Sequence, residues 1–266
     1  MSAFEPDGAC VVVTGAGNGI GAALATGLAG RGARVVVADL DADGAARTVA
    51  AIEAAGGQAI AAPGDAASEE GIAALIAAAR DAYGPIGAWF ANAGVDRGRG
   101  LDASEADWAL SLDVNVMAHV RAARQLVPDW LAADGGRFVV TASAAGLLTM
   151  LDAPAYSVTK HGAVAFAEWL SATYRHRGIV VQAICPQGVQ TRMLDEAGPL
   201  QEVLSHDTAL TAEQVADGVI TALGGDEFLI LPHPEVAGYY AARATATDRW
   251  LGGMNRLQQR LDQHDG

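Results

Sequence analysis

The chain is short of positive charge. Seventeen Lys and Arg stand against 31 Asp and Glu over 266 residues, a formal net charge of -14. A nucleic-acid partner needs a basic footprint, so none is expected. Cysteine is scarce too, with only Cys10 and Cys185. Each borders an apolar, β-like run, "CVVVTG" and "IVVQAIC", so both read as reduced core or site-lining residues without a disulfide framework. No run of about 18 apolar residues occurs, and no membrane span is expected. The opening "MSAFEPDGAC" lacks a basic start followed by an apolar stretch, which makes a soluble cytoplasmic protein the expectation. Six histidines lie scattered without zinc-like pairing, so no metal is expected, and His161 reads as a surface residue.

What is present is apolar and periodic. Hydrophobic residues make up 51% and charged residues 18%, the composition of a globular chain long enough to bury a large core. Seven short runs read as strands: 10–15, 33–39, 57–65, 87–94, 136–143, 178–186 and 227–232. Bounded by Gly and Pro, they suit strands covered on both faces. Alanine-rich stretches over 19–31, 42–55, 68–83, 104–133, 154–177 and 211–223 read as the helices between them. This alternation predicts right-handed βαβ crossovers and an α/β fold: one doubly wound domain over 1–266, its sheet seven-stranded and parallel. A C-terminal helical extension, 232–266, is expected to break at Gly252 and Gly253.

After the first strand comes "TGAGNGIG", with Gly15, Gly19 and Gly21. Glycines at a strand-to-helix turn let the backbone approach a pyrophosphate, which the helix N-terminus attracts. The usual Rossmann fingerprint is not met, because Ile20 falls where its third glycine belongs. The second strand ends in Asp39, 18 residues after Gly21. A carboxylate there can hold the adenosine ribose diol and repels a 2′-phosphate. The positions where an NADP reader supplies a cation are here Asn18 and Leu40, so NAD is favoured. The alternative is that Asp39 only caps the following helix.

In "DAPAYSVTKHG", Tyr156 and Lys160 stand one turn apart on a helix start, so their polar ends can point to one place. A nearby ammonium favours the phenolate and draws a tyrosine towards useful acid–base chemistry. Taken alone, the pair reads as a packed tyrosine and a solvated lysine, and the rest of the chain has to overturn that.

Asp65 in "PGDAAS", "ANAG" at 91–94, Asn115 in "DVNV", Ser143 in "VVTASAAG" and the Tyr156–Lys160 pair follow one another in order. Together they resemble the short-chain dehydrogenase/reductase family in its single-domain form, over residues 8–231. The resemblance implies that Tyr156 is the acid/base and that Lys160 tunes it and holds the nicotinamide ribose. It implies that Ser143 bonds the substrate oxygen and that Asn115 holds a water beside Lys160; helix–helix hydrogen bonding is the other reading of Asn115. The NAD site would then comprise Gly15, Asn18, Gly19, Ile20, Gly21, Asp39 and Leu40. It would continue through Asp65 and Ala66 at the adenine, Asn92, Ala93 and Gly94 along the dinucleotide, and Pro186, Gly188, Val189 and Thr191 at the nicotinamide. The family's Pro-Gly after the sixth strand is replaced here by Pro186-Gln187-Gly188, where Gln187 either meets the substrate or turns to solvent.

The activity implied is interconversion of a secondary alcohol and a ketone. The stretch "AAGLLTMLDA" is mainly apolar, with Leu147, Leu148, Met150 and Leu151 available to line a cavity, and an apolar substrate is expected. Leu148, Met150, Gln187 and Met193 are the candidate substrate contacts besides Ser143 and Tyr156, with 190–210 forming a lid in which Leu194 faces inward. A homodimer or homotetramer through the helices at 104–133 and 154–177 is implied by the resemblance. Two other readings use the same scaffold: a silent NAD(H)-binding regulator, and a dehydratase or epimerase.

Overall fold

The computed structural model describes residues 4–133, 135–191, 194 and 209–264. Its centre is a run of apolar strands, all but one edge strand buried on both faces. β1 (Cys10–Thr14), β2 (Arg34–Asp39), β3 (Gln58–Pro63), β4 (Ile86–Ala91), β5 (Gly136–Thr141) and β6 (Ile179–Ile184) all pair in parallel. Alternate residues of one strand enter opposite cores. Val12 and Val36 pack with Trp89 and Phe138 on one side, while Val11, Val13, Val35 and Val37 pack with Leu24 and Phe90 on the other. β1, β2, β4, β5 and β6 lack polar alternation because neither face of these strands meets water, whereas the edge strand β3 has exposed residues at Gln58, Ala61 and Pro63.

Helices α1 (Gly19–Ala29), α2 (Ala42–Ala54) and α3 (Glu69–Tyr83) make the first crossovers. α4 (Glu105–Leu112) and α5 (Ala118–Ala132) follow β4, and α6 (Pro154–Tyr174) follows β5. α7 (Ala212–Ala222) precedes the last sheet strand, which together with two other short strands is labelled here: β7 (Val189–Gln190), β8 (Leu210–Thr211) and β9 (Leu229–Ile230). The sheet is seven-stranded and parallel, as the strand–helix alternation predicts, and its strands run β3-β2-β1-β4-β5-β6-β9. Strand order reverses between β1 and β4, and a ligand crevice opens beyond the carboxyl ends of strands at such a point.

Three local expectations are corrected. The single helix over 104–133 is interrupted: Asp113–Met117 forms a π-helical turn in which the Ala118 N–H reaches back to the Asp113 carbonyl. The C-terminal helix breaks not at Gly252 and Gly253 but at Ala246, whose extended φ of -145° separates α8 (Glu235–Thr245) from α9 (Thr247–His264). A glycine in a helix interior costs about 1 kcal/mol, too little to end an 18-residue helix. The strand expected over 227–232 is only two residues long. β7 and β8 form a separate parallel pair on either side of the lid segment. Most of that segment, Met193 included, lies outside the described residues. Leu194 is buried. No described helix is long and apolar enough to cross a membrane.

Candidate active site

Ser143 lies two residues beyond β5 and caps a short 3-10 turn at Ala144–Gly146, its Oγ accepting the Ala145 N–H at 3.1 Å. The Ala144 N–H donates to the Pro186 carbonyl at 2.8 Å, tying the ends of β5 and β6 together. Proline at the first position of α6 starts that helix without wasting a hydrogen bond. Its first two turns then carry Tyr156 and Lys160 inward, 8% and 4% exposed. The Lys160 ammonium donates to the Thr141 carbonyl at 2.8 Å and lies 5.5 Å from the Tyr156 ring centroid.

Burial dominates the electrostatics. It pushes the Tyr156 phenol up to about 12, with Asp96 and Cys185 adding to the rise and a Ser143 hydrogen bond opposing it. Burial also pulls Lys160 down to about 8, against the negative potential of Cys185 and Asp96. At neutral pH the tyrosine is therefore a phenol and the lysine a cation.

Asn115 is fully buried within the π turn. Its side chain exchanges two hydrogen bonds with the Val95 backbone, both at 2.9 Å, and donates to Thr159 Oγ1 at 3.0 Å. It thus joins the loop after β4 to α6. A π turn displaces carbonyls from the α-helical ladder, and such turns recur at functional sites. One turn further on, His119 is 2% exposed, and burial with the nearby Lys160 charge drives its pKa down to about 3. The motif reading did not include His119, because a lone histidine carries no signal until its burial is known.

At the other end of the crevice, Gly15 (φ +63°) and Gly19 (φ +53°) adopt left-handed backbone. A Cβ on Gly15 would stand 2.8 Å from Ala93 Cα, and one on Gly21 would stand 2.1 Å from the Gly15 carbonyl oxygen. The turn is consequently flush against the chain after β4. Asn18 occupies the N-cap of α1 without a side-chain cap, so the first amides of the helix are left for an anion. The Asp39 carboxylate accepts from Gly17 N at 2.8 Å and Asp41 N at 2.9 Å, one bond to each oxygen. Asp41, not Asp39, caps α2. Each Asp39 oxygen keeps a lone pair for a diol, and Leu40 beside it is exposed. Glycine turn, bare helix end and acid at the tip of β2 fit a dinucleotide.

The short chain dehydrogenase family model matches residues 9–201. The chain belongs to that family. Among its relatives, 1-deoxy-11-beta-hydroxypentalenate dehydrogenase of Streptomyces exfoliatus is 35% identical over 84% of this chain and 82% of its own. Cyclohexanol dehydrogenase of an Acinetobacter species is 32% identical over 81% of this chain and 87% of its own. The crystal structure of a short-chain dehydrogenase/reductase from Burkholderia phymatum in complex with NAD matches with a TM-score of 0.85. It is 32% identical, over 92% of this chain and 96% of its own. The chain is an oxidoreductase of this family, and the neighbour's NAD agrees with the cofactor expected from Asp39.

The remaining expected positions of this dehydrogenase fall into groups. Asn92 gives its amide to the Thr14 and Gly15 carbonyls at 3.0 and 3.2 Å, bracing the glycine turn. A Cβ on Gly94 would stand 3.2 Å from both Lys160 Nζ and Asn115 Oδ1, which places its bare backbone beside the Lys160 ammonium. Asp65 accepts the Ala67 N–H at 2.9 Å, and Ala66 and Ile20 pack against the cores. Thr191 lies against Gly19, where an added Cβ would be 3.3 Å from its methyl, and Val189 is buried in β7. Pro186 reaches the Ser143 turn through its carbonyl, and the Gln187 N–H donates to His233 Nδ1 at 3.1 Å. On the substrate side, Met150 packs with Ala145, Ala153 and Tyr156. Leu148 borders the main core, whereas Leu147 is 1% exposed and belongs to that core, so it does not line the cavity. His161 is not a free surface residue: its ring bonds the Ser157 carbonyl and Arg243. Asp96 lies in the 94–98 stretch expected beside the substrate, but no motif gave it a role; its buried carboxylate pairs with Arg99 at 2.8 Å and raises the pKa of Tyr156.

Proposed function

We propose that this chain interconverts a secondary alcohol and a ketone with NAD, using Tyr156 for the proton. The observation that supports this most directly is the buried Tyr156, its ring centroid 5.5 Å from a Lys160 ammonium that is held by the strand-end carbonyl of Thr141. Bound NAD would supply or accept the hydride. Ser143 would orient the substrate oxygen by hydrogen bonding, and in the reductive direction Tyr156 would give its proton to that oxygen as the carbonyl becomes an alcohol. In oxidation the Tyr156 phenolate, stabilised by the Lys160 cation, would take the hydroxyl proton and become the phenol. Gly15, Gly19, the start of α1 and Asp39 would hold the dinucleotide, and Asn115 would keep the loop bearing Gly94 against Lys160.

Met150 at the Tyr156 ring and Leu148 nearby favour an apolar substrate, and the relatives include an enzyme named for cyclohexanol. We therefore include alicyclic alcohols in the test. NADH absorbance is followed with NAD, and separately with NADP, against secondary alcohols from short aliphatic to bulky alicyclic. NAD-dependent formation of NADH that grows with apolar bulk is the expected result. Silence across the panel with NADH still bound would favour the regulator reading. Val158 and Trp169 on α6 and Leu110 and Leu112 on α4 are exposed apolar residues on the helices expected to join subunits. A homo-oligomer is part of this proposal, and light scattering tests it.

A further inference from the structure

The segment after β9 touches both walls of the crevice. His233, 2% exposed, accepts the Gln187 N–H and so holds the turn after β6. Three residues on, Val236 is fully buried in the main core and anchors α8. Two turns later, Arg243 donates from Nη1 to the Leu147 carbonyl and contacts His161 Nε2 at 2.9 Å. A guanidinium only donates, so His161 Nε2 is the acceptor and Nδ1 carries the proton, donating to the Ser157 carbonyl at 2.8 Å. Ser157 in turn bonds both the N–H and the carbonyl of Met150, at 3.0 and 3.1 Å. One side chain of α8 thereby reaches Leu147 directly and Met150 through two relays. These residues bracket Leu148, and all follow Ser143.

We propose that Arg243 is a positioning residue for substrate specificity, latching α8 onto the 147–150 loop while His233 holds the opposite wall at Gln187. The inference rests on the proposed alcohol/ketone reading for its kinetic consequence but not for its structural one. Arg243 sits on the helix side of the loop, away from the dinucleotide turn at Gly15–Gly21, so cofactor affinity should not depend on it. Both bonds leave the single atom Nη1, so the three donors of a lysine ammonium, placed on a shorter and differently aimed side chain, should keep only part of the latch in Arg243→Lys.

Amide hydrogen exchange of Arg243→Ala and Arg243→Lys, compared with the unaltered chain, tests the latch without needing a substrate. Exchange over 144–152 should rise about tenfold or more in Arg243→Ala and less in Arg243→Lys, with the β1–β5 peptides unchanged. For any alcohol that the unaltered chain oxidises, Arg243→Ala should raise KM about tenfold, leave kcat within about twofold, and leave the NADH dissociation constant unchanged. If the alanine variant does not fold, Arg243→Lys and His161→Leu carry the same comparison. Unchanged exchange over 144–152 would overturn the latch. So would a uniform rise across the whole chain, with kcat falling and KM constant, since that is the signature of lost stability alone. Failure of the alcohol panel would remove the alcohol/ketone reading and leave the exchange result standing.

Discussion

The Lys160 ammonium donates to the Thr141 carbonyl at 2.8 Å. A backbone acceptor at the end of β5 thus fixes the cation of α6 behind Tyr156, where burial has made the phenol a weak acid and the ammonium easier to deprotonate. The two groups bear opposite demands: the tyrosine must be deprotonated to accept the substrate's proton in oxidation, and the lysine must stay protonated.

Replacing the phenol isolates the proton-transfer step. Tyr156→Phe should lower kcat by at least ~100-fold, the scale of general acid–base catalysis. NADH binding, followed by fluorescence, should change little. Full activity in this variant would remove Tyr156 from the mechanism.

The acid at the tip of β2 governs cofactor choice. In Asp39→Ala the ratio of kcat/KM for NAD over NADP should fall about tenfold or more, the scale of a lost charged hydrogen bond plus relieved repulsion. Because Asp39 also braces Gly17 and Asp41, part of the NAD loss will come from a looser turn. An unchanged ratio would mean that another group reads the ribose.

Asp96 provides a pH test. Its negative charge raises the pKa of both Tyr156 and Lys160, so its removal lowers both. Oxidation needs the phenolate and should rise with pH; in Asp96→Asn that rise should move to lower pH. The loss of ketone reduction as Lys160 gives up its proton above about 8 should move the same way. Profiles of kcat/KM in both directions check this, and unmoved profiles would place Asp96 outside the site's electrostatics.

The thiols make a simpler test of packing. Cys10 and Cys185 are 1% and 0% exposed, and burial pushes the Cys185 thiol up to about 12. A thiol reagent should label neither in the folded protein within minutes and both in denaturant, because only the exposed thiolate reacts. Rapid labelling of Cys185 in the native protein would show that solvent reaches the floor of the site.

Some of this was legible in the residues themselves. Continuous apolar runs between alanine-rich stretches dictated strands covered on both faces and helices between them, because side-chain period and burial are local properties. Gly15 and Gly19 announced a left-handed turn, Asp39 an acid at a strand end, and Tyr156 with Lys160 a shared helix face, since each depends on spacing of a few residues. Other features required the packed chain. The π turn around Asn115 leaves no trace in a pattern that reads as helix throughout. His161 looked like a surface residue because its partner, Arg243, stands 82 positions later. Leu147 and Leu148 are identical in type, and only the packed chain decides that one is sealed inside the main core and the other lies partly buried at its edge. Above all, the protonation of Tyr156 and Lys160 follows from how much water and charge the fold leaves around them. That environment is assembled from β5, β6, α6 and the loop at Asp96, and exists only once distant segments have closed upon it.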